Sequence, residues 1–296
     1  MSAQQQEEMV FSRGPEVLAA RTLGLTLFFD TVSVQRVALA AAVAEAVALV
    51  ASQASWIRFG NMTRNEAIDA QLVDEATAYV RRTLSERKDA ELAIDSGRTL
   101  DGVGAWALRY ADSPGYEGDL LGYLQLSLPL DQADALLRLA GRWFGEVNFR
   151  HGRGGLHLNY DHGDIDAQRN MAMRGHCERY RGVDLGDLVT ERRALQQHIK
   201  NAQWLTLMGN DMLAADEAQA DVLRALPGTQ VTRHGLLLRA CEQPVPGDAH
   251  RREDVTALRD MNAMLEPWLV ENLFPLPGFP DEEATRAWLH TVRTER

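Results

Sequence analysis

Short apolar segments and amphipathic helical stretches follow one another along this chain in no regular alternation, and that order constrains the fold more than any single motif. The run Leu23-Gly24-Leu25-Thr26-Leu27-Phe28-Phe29 is short, apolar and partly aromatic, which predicts a buried strand. A helix is expected from about Ser33, and the alanine-rich run 37–54 makes it a buried one. Between residues 63 and 94, Ile68, Leu72, Ala76, Val80 and Leu84 recur every four positions, the signature of an amphipathic helix. Segments 102–111 and 120–128 read as strands of a hairpin, joined by Asp112-Ser113-Pro114-Gly115-Tyr116-Glu117-Gly118-Asp119. Helices are expected at 131–145, 165–180, 188–199, 212–226 and 254–265, and Asp281 should cap a last one. Strands are expected at 155–160 and 204–208, and a hairpin from 229–232 with 236–240. Strand pairs and helices thus come in mixed order, which favours an α+β fold of mixed, largely antiparallel sheets packed with helices over a doubly wound one. Residues 1–20 read as a lead-in, with a short helix after Pro15. The rest, 21–296, reads as one domain with subregions of about 21–160 and 161–296, an arrangement that allows two similar lobes.

Charge narrows the function. The 296 residues carry a formal charge of −11, with −6 in residues 1–150 and −5 in residues 151–296, so the acidity is no tail. A general nucleic-acid binder should present a basic footprint instead, whereas a partner with a basic cleft would suit this surface. The apolar run 37–54 is interrupted by Glu45, Ser52 and Gln53 and falls short of the roughly 20 residues that span a bilayer. The N-terminus is polar and shows no secretory pattern, so a cytoplasmic protein is expected. Cys177 and Cys241 stand in unrelated contexts and suggest neither a disulfide framework nor a zinc site.

No stretch carries a catalytic template. The densest set of potential ligands is His151, His157, Asp161, His162 and Asp164. Two imidazoles and a carboxylate can hold zinc, which keeps a metal-dependent hydrolase in the 151–164 region as an alternative, but the spacing matches no metalloenzyme motif. Gly152-Arg153-Gly154-Gly155 lacks the Lys-Ser/Thr of a phosphate loop and reads as a tight turn into a strand. There is no Gly-x-Ser-x-Gly elbow, and His176 beside Cys177 supplies adjacency without geometry. Trp204 reads as a core anchor. The acid-rich loops 112–119 and 161–166 concentrate carboxylates outside helices, which makes Asp112, Glu117, Asp119, Asp161, Asp164 and Asp166 candidate contacts for a basic partner.

Three segments together carry a resemblance: Ile199-Lys200-Asn201-Ala202-Gln203-Trp204-Leu205-Thr206-Leu207-Met208-Gly209, then Gly235-Leu236-Leu237-Leu238-Arg239-Ala240, then Pro244-Val245-Pro246-Gly247-Asp248. With the opening strand and alanine-rich helix, the segment Leu121-Gly122-Tyr123-Leu124-Gln125-Leu126-Ser127-Leu128-Pro129 and a closing tryptophan helix, the ordered set resembles the TsiV-type immunity proteins of bacterial type VI secretion. It departs from that pattern at Gln203, Cys241 and Ala249-His250. The resemblance implies a non-enzymatic protein without metal or cofactor. Such a protein binds a cognate effector toxin, most characteristically a VRR-Nuc-type nuclease, and occludes its active or DNA-binding site. An effector of different chemistry is the alternative partner. Neither nucleic acid nor membrane is implied as a direct partner.

Overall fold

One strand of fourteen residues, Glu16–Phe29, organises the molecule. The computed structural model describes residues 9–99, 102–115, 120–162 and 166–294. In chain order its strands are β1 (Met9–Arg13), β2 (Glu16–Phe29), β3 (Trp56–Phe59), β4 (Glu66–Ala67), β5 (Ala90–Asp95), β6 (Ala107–Asp112), β7 (Gly122–Leu128), β8 (His151–Tyr160), β9 (Val183–Asp184), β10 (Leu205–Gly209), β11 (Gln230–Val231) and β12 (Gly235–Arg239). The helices are α1 (Arg36–Ala51), α2 (Ala70–Glu86), α3 (Ala133–Glu146), α4 (Ala167–Arg179), α5 (Leu188–Ala194), α6 (Asn210–Leu213), α7 (Glu217–Arg224), α8 (Thr256–Met264) and α9 (Glu282–Thr294). All the described strands join one sheet in the order β11-β12-β10-β8-β2-β7-β6-β5-β3-β4, with β1 on β2 and β9 on β8. Only the β8–β9 pairing is parallel among them. The fold is α+β, as expected, and strands from both subregions share the sheet.

Register gives the sheet two chemically different faces, because successive side chains of a strand point to opposite sides. Leu23, Leu25 and Leu27 lie opposite Leu128, Leu126 and Leu124 of β7, and Leu108 continues the row on β6. Against this apolar face pack α1, α2 and α3. Helix α1 is apolar nearly all round, and Leu39, Ala42, Val43, Ala46, Val47 and Val50 are buried. Its one interior acid, Glu45, accepts the indole N–H of Trp143 at 2.8 Å. No helix among the described residues is long and apolar enough to cross a membrane. A smaller apolar cluster around Met208, Met212, Leu236, Leu238 and Trp268 joins the C-terminal elements to the sheet end.

The opposite face is polar and buried: Thr22, Thr26, Arg109, Gln125, Ser127, Arg153, His157 and Asn159 all lie there below one-tenth exposure. Room for the His157 ring comes from Gly24, since a Cβ at that position would sit 2.4 Å from the ring. Across these strands Gln125 donates to Thr26 Oγ1 at 3.1 Å, and Ser127 Oγ lies 2.9 Å from His157 Nε2.

Several expectations are corrected by this arrangement. The residues after Pro15 form a strand instead of a helix, because Gly14, with φ of 61°, and Pro15 make the tight turn that folds β1 back onto β2. The lead-in therefore contains β1 and the start of β2. The glycines at 152, 154 and 155 lie inside β8 rather than in a turn before it. A Cβ on Gly152 would strike Leu27 Cδ2 at 2.6 Å, so the small residue permits close strand packing. The long pattern ending at Ile94 splits into α2 and β5, broken where Arg87 takes a left-handed conformation. The expected helix 212–226 is divided into α6 and α7, with Asp216 capping the second.

Trp204 is 2% exposed and donates its indole N–H to the Cys241 carbonyl at 2.9 Å, with the Arg239 guanidinium over its ring. Trp204→Phe should cost about 1–3 kcal/mol, because the partner carbonyl loses its donor and part of the volume empties. Chemical denaturation of the two proteins measures this. A variant equal to the parent would show that the indole bond contributes nothing net.

Candidate partner-binding surface

The acids singled out in the sequence divide once placed. Asp112 closes β6 with its side chain fully buried, 2.9 Å from Arg36 of α1. Burial raises its carboxyl above the usual range against the opposing pull of that arginine. Its charge is thus committed inward and is not offered to a partner by the loop that follows. Glu117, Asp119 and Asp164 lie outside the described residues. Asp161 is half-buried at the end of β8. Asp166 is the N-cap of α4 and accepts from the backbone N–H groups of Arg169 and Gln168 at 3.0 and 2.9 Å. Those bonds, with Arg169's the stronger, hold its carboxyl below the usual range, and Arg13 pairs with it from β1.

The histidines do not converge. His151 donates to the Leu195 carbonyl at 2.7 Å, while His157 faces Ser127. Burial pushes both down to about 3, so both are neutral imidazoles at ordinary pH. His162 instead packs against the Tyr160 ring, with centroids 4.2 Å apart. Among the described residues no group of three or more His, Cys, Asp or Glu is placed to hold a metal ion. Cys177 is buried, and burial raises its thiol pKa beyond nucleophilic use at neutral pH. His176 beside it is directed to the Tyr180 ring, 4.6 Å away. The Ser127–His157 pair has the spacing of a nucleophile and base, but Ser127 is 1% exposed and no substrate carbonyl could reach it.

What the sequence reading missed is a closed ionic network beneath the polar face. Arg153 of β8 pairs with Asp184 of β9 at 2.7 Å and with Glu191 of α5. Lys200 reaches Asp184 and Glu191 at 2.5 and 2.6 Å and donates to the Leu185 carbonyl at 2.9 Å. All four side chains are below one-tenth exposure. A second set joins Asp95 to Arg109 at 3.0 Å and to Asn159 at 2.9 Å. The one available signal was Lys200, since this chain has only two lysines. Buried ions require partners, and here every positive charge is met. These networks can hold α5 and β9 on the sheet, and nothing in them is open to a ligand.

Buried charges among the described residues balance: Asp95, Asp112, Asp184, Glu191 and Asp248 against Arg109, Arg153, Arg169, Arg192 and Lys200. The negative excess of the described residues therefore lies outside the buried interior, where it can act on another molecule.

Comparison with known proteins agrees with a binding role. The sequence model of one family, TsiV, described as type VI immunity for VRR-NUC, matches residues 49–291. Among solved structures the fold is similar to the Pseudomonas aeruginosa T6SS protein PA0821, with a TM-score of 0.80 at 20% identity, covering 99% of this chain and 90% of that one. No curated protein matches. With the family match extending over most of its length, this chain belongs to the TsiV family of type VI immunity proteins for VRR-Nuc.

Proposed function

We propose that this protein binds a VRR-Nuc-type nuclease effector and covers the groove that holds DNA phosphates, without catalysis of its own and within the cytoplasm. The family match over residues 49–291 carries this reading. Electrostatics supports it: the chain carries a formal charge of −11, the buried charges of the described residues balance, and a nuclease must present positive potential to its phosphates. One sheet running from β11 to β4 supports treating residues 21–296 as a single binding unit. Of the acid-rich loops, 161–166 is retained as a contact, with Asp161 at its start and Asp166 fixing the helix behind it.

The test is co-expression with the effector encoded beside the gene, followed by purification of the pair. Protected cells should keep intact DNA, and the complex should lack nuclease activity. Association should slow as salt rises, because exposed charges are screened beyond roughly 10 Å at 0.1 M salt. Failure of the pair to associate, or an effector that leaves DNA intact in unprotected cells, refutes the nuclease assignment.

A further inference from the structure

The loop between residues 270 and 281 is built as a rigid mount for one exposed aromatic ring. Leu273 and Leu276 are each 1% exposed and anchor it in the core. Between them Phe274 is 52% exposed, the one aromatic among the large exposed apolar residues described. Pro275 and Pro277 fix the backbone around it. Two further bonds tie the loop to the first turns of α9: Thr285 Oγ1 accepts from Leu276 N at 3.1 Å, and Arg286 donates to Asn272 Oδ1 at 3.3 Å. Phe274 is thereby held beside the α9 N-terminus, where Asp281, Glu282 and Glu283 are all exposed, and Glu271 is exposed on its other side.

The same loop rests on α4. A Cβ on Gly278 would lie 2.3 Å from the Asn170 carbonyl oxygen, and the Arg174 guanidinium stacks on Phe279, 4.9 Å from its centroid. Next to these contacts on α4 stands Met171, 62% exposed, and Asp166 caps the same helix. Two exposed apolar side chains and four exposed acids, Glu271, Asp281, Glu282 and Glu283, thus lie on α4, the loop and the start of α9. Of the cations in this region, Arg174 is paired with Glu178 at 2.8 Å, and Arg286 donates to Asn272. Acids in a first helical turn stabilise the helix dipole, which accounts for Glu282 and Glu283. It does not account for leaving a phenylalanine and a methionine in water beside them.

We infer that this surface is the docking site for the basic, phosphate-binding groove of the nuclease effector, with Phe274 as the central anchor, Met171 beside it and the acids as the rim. The inference rests on the proposed function and names the place where that partner is held. A preordered aromatic in a desolvated centre, ringed by charge, has the anatomy of an interface hot spot. The rim speeds encounter with an opposite potential, and the ring slows departure. Met also supplies a polarizable contact that adapts to the partner's surface.

The test uses the full chain and the purified effector from the neighbouring gene, inactivated in its nuclease site. Parent affinity is measured first, and absence of any parent complex refutes the nuclease partner itself. With a parent complex in hand, Phe274→Ala should weaken binding about tenfold or more, mainly through faster dissociation. Glu271→Lys with Glu283→Lys should slow association and flatten its salt dependence. Glu75→Lys with Glu86→Lys, on α2, should do neither. Thermal melting checks that each variant folds, and Met171→Ser provides a second apolar probe if Phe274→Ala does not. Folded variants of Phe274, Met171 and the rim that bind like the parent overturn the proposed surface while leaving the nuclease partner standing.

Discussion

Lys200→Met should destabilise the protein by about 3–5 kcal/mol, the range for removing one partner from a buried ion pair. The lysine is 1% exposed and its ammonium lies between Asp184 and Glu191 at 2.5 and 2.6 Å. Without it two carboxylates share one arginine, Arg153, away from water. Charge left unpaired at such depth costs more than the pair gained, because the desolvation penalty stays when the attraction goes. The loss should also loosen the C-terminal helix, since Arg293 of α9 donates to the Lys200 carbonyl at 3.1 Å and to the Val270 carbonyl at 2.9 Å. Adding Glu191→Gln to Lys200→Met should recover part of the loss, because one of the stranded carboxylates is neutralised. The double variant should therefore be more stable than the sum of the two single losses predicts. Urea denaturation of the parent, both singles and the double measures all four corners. A Lys200→Met protein within about 1 kcal/mol of the parent would show that the network is not a structural tie.

Acid should act through the interior before it acts on the surface. His151 and His157 are pushed down to about 3 by burial, whereas an unfolded histidine titrates near 6.5. Between those values the unfolded chain takes up protons that the folded chain refuses. Stability therefore falls as pH drops through that window, by up to about 1.4 kcal/mol per pH unit for each histidine. From neutral pH to pH 5 the two together should cost about 4 kcal/mol, a large share of the roughly 5–15 kcal/mol that holds a domain folded. Asp184 adds to the same trend at lower pH. Burial pushes its carboxyl up, but Arg153 and Lys200 outweigh that and hold it well below the usual range. Its contribution is thus complete above about pH 4 and is lost as pH falls further. Denaturation midpoints at pH 7.5, 6 and 5 should decline in step. His157→Asn should remove part of the decline between 6.5 and 5, the rest coming from His151 and from His162 and His176, which burial pushes down to about 4. A midpoint independent of pH over this range would mean that both imidazoles titrate freely in the folded protein.

These two networks mark where the linear reading ran out. The spacing of Ile68, Leu72, Ala76, Val80 and Leu84 identified α2 because helical periodicity is local, and the hairpin of β6 and β7 was legible from its turn residues. The polar face was not. His157, Asn159 and Arg153 alternate along β8 as a solvent-facing or ligand-binding set would, and only the arrival of β9 and α5 shows that the side is covered. Equally, the acids of 112–119 and 161–166 looked alike in sequence. Asp112 turned inward because Arg36, 76 positions away, meets it, and Asp166 became a cap because a helix starts behind it.

Local order thus determined much: the α+β class, most helices and strands, the absence of any catalytic or metal-binding motif, the excess of negative charge, and the ordered segments that resemble TsiV proteins. Those properties depend on side-chain period, turn chemistry and composition, which are written residue by residue. Tertiary structure alone decided which carboxylates reach solvent and which complete ion pairs inside. It also brought Met171 beside the loop that exposes Phe274, across more than a hundred residues of chain. Coulomb and hydrophobic contacts act over a few ångströms in space and are indifferent to distance along the sequence, so an interface assembled from α4, a loop and α9 exists only once the chain has folded.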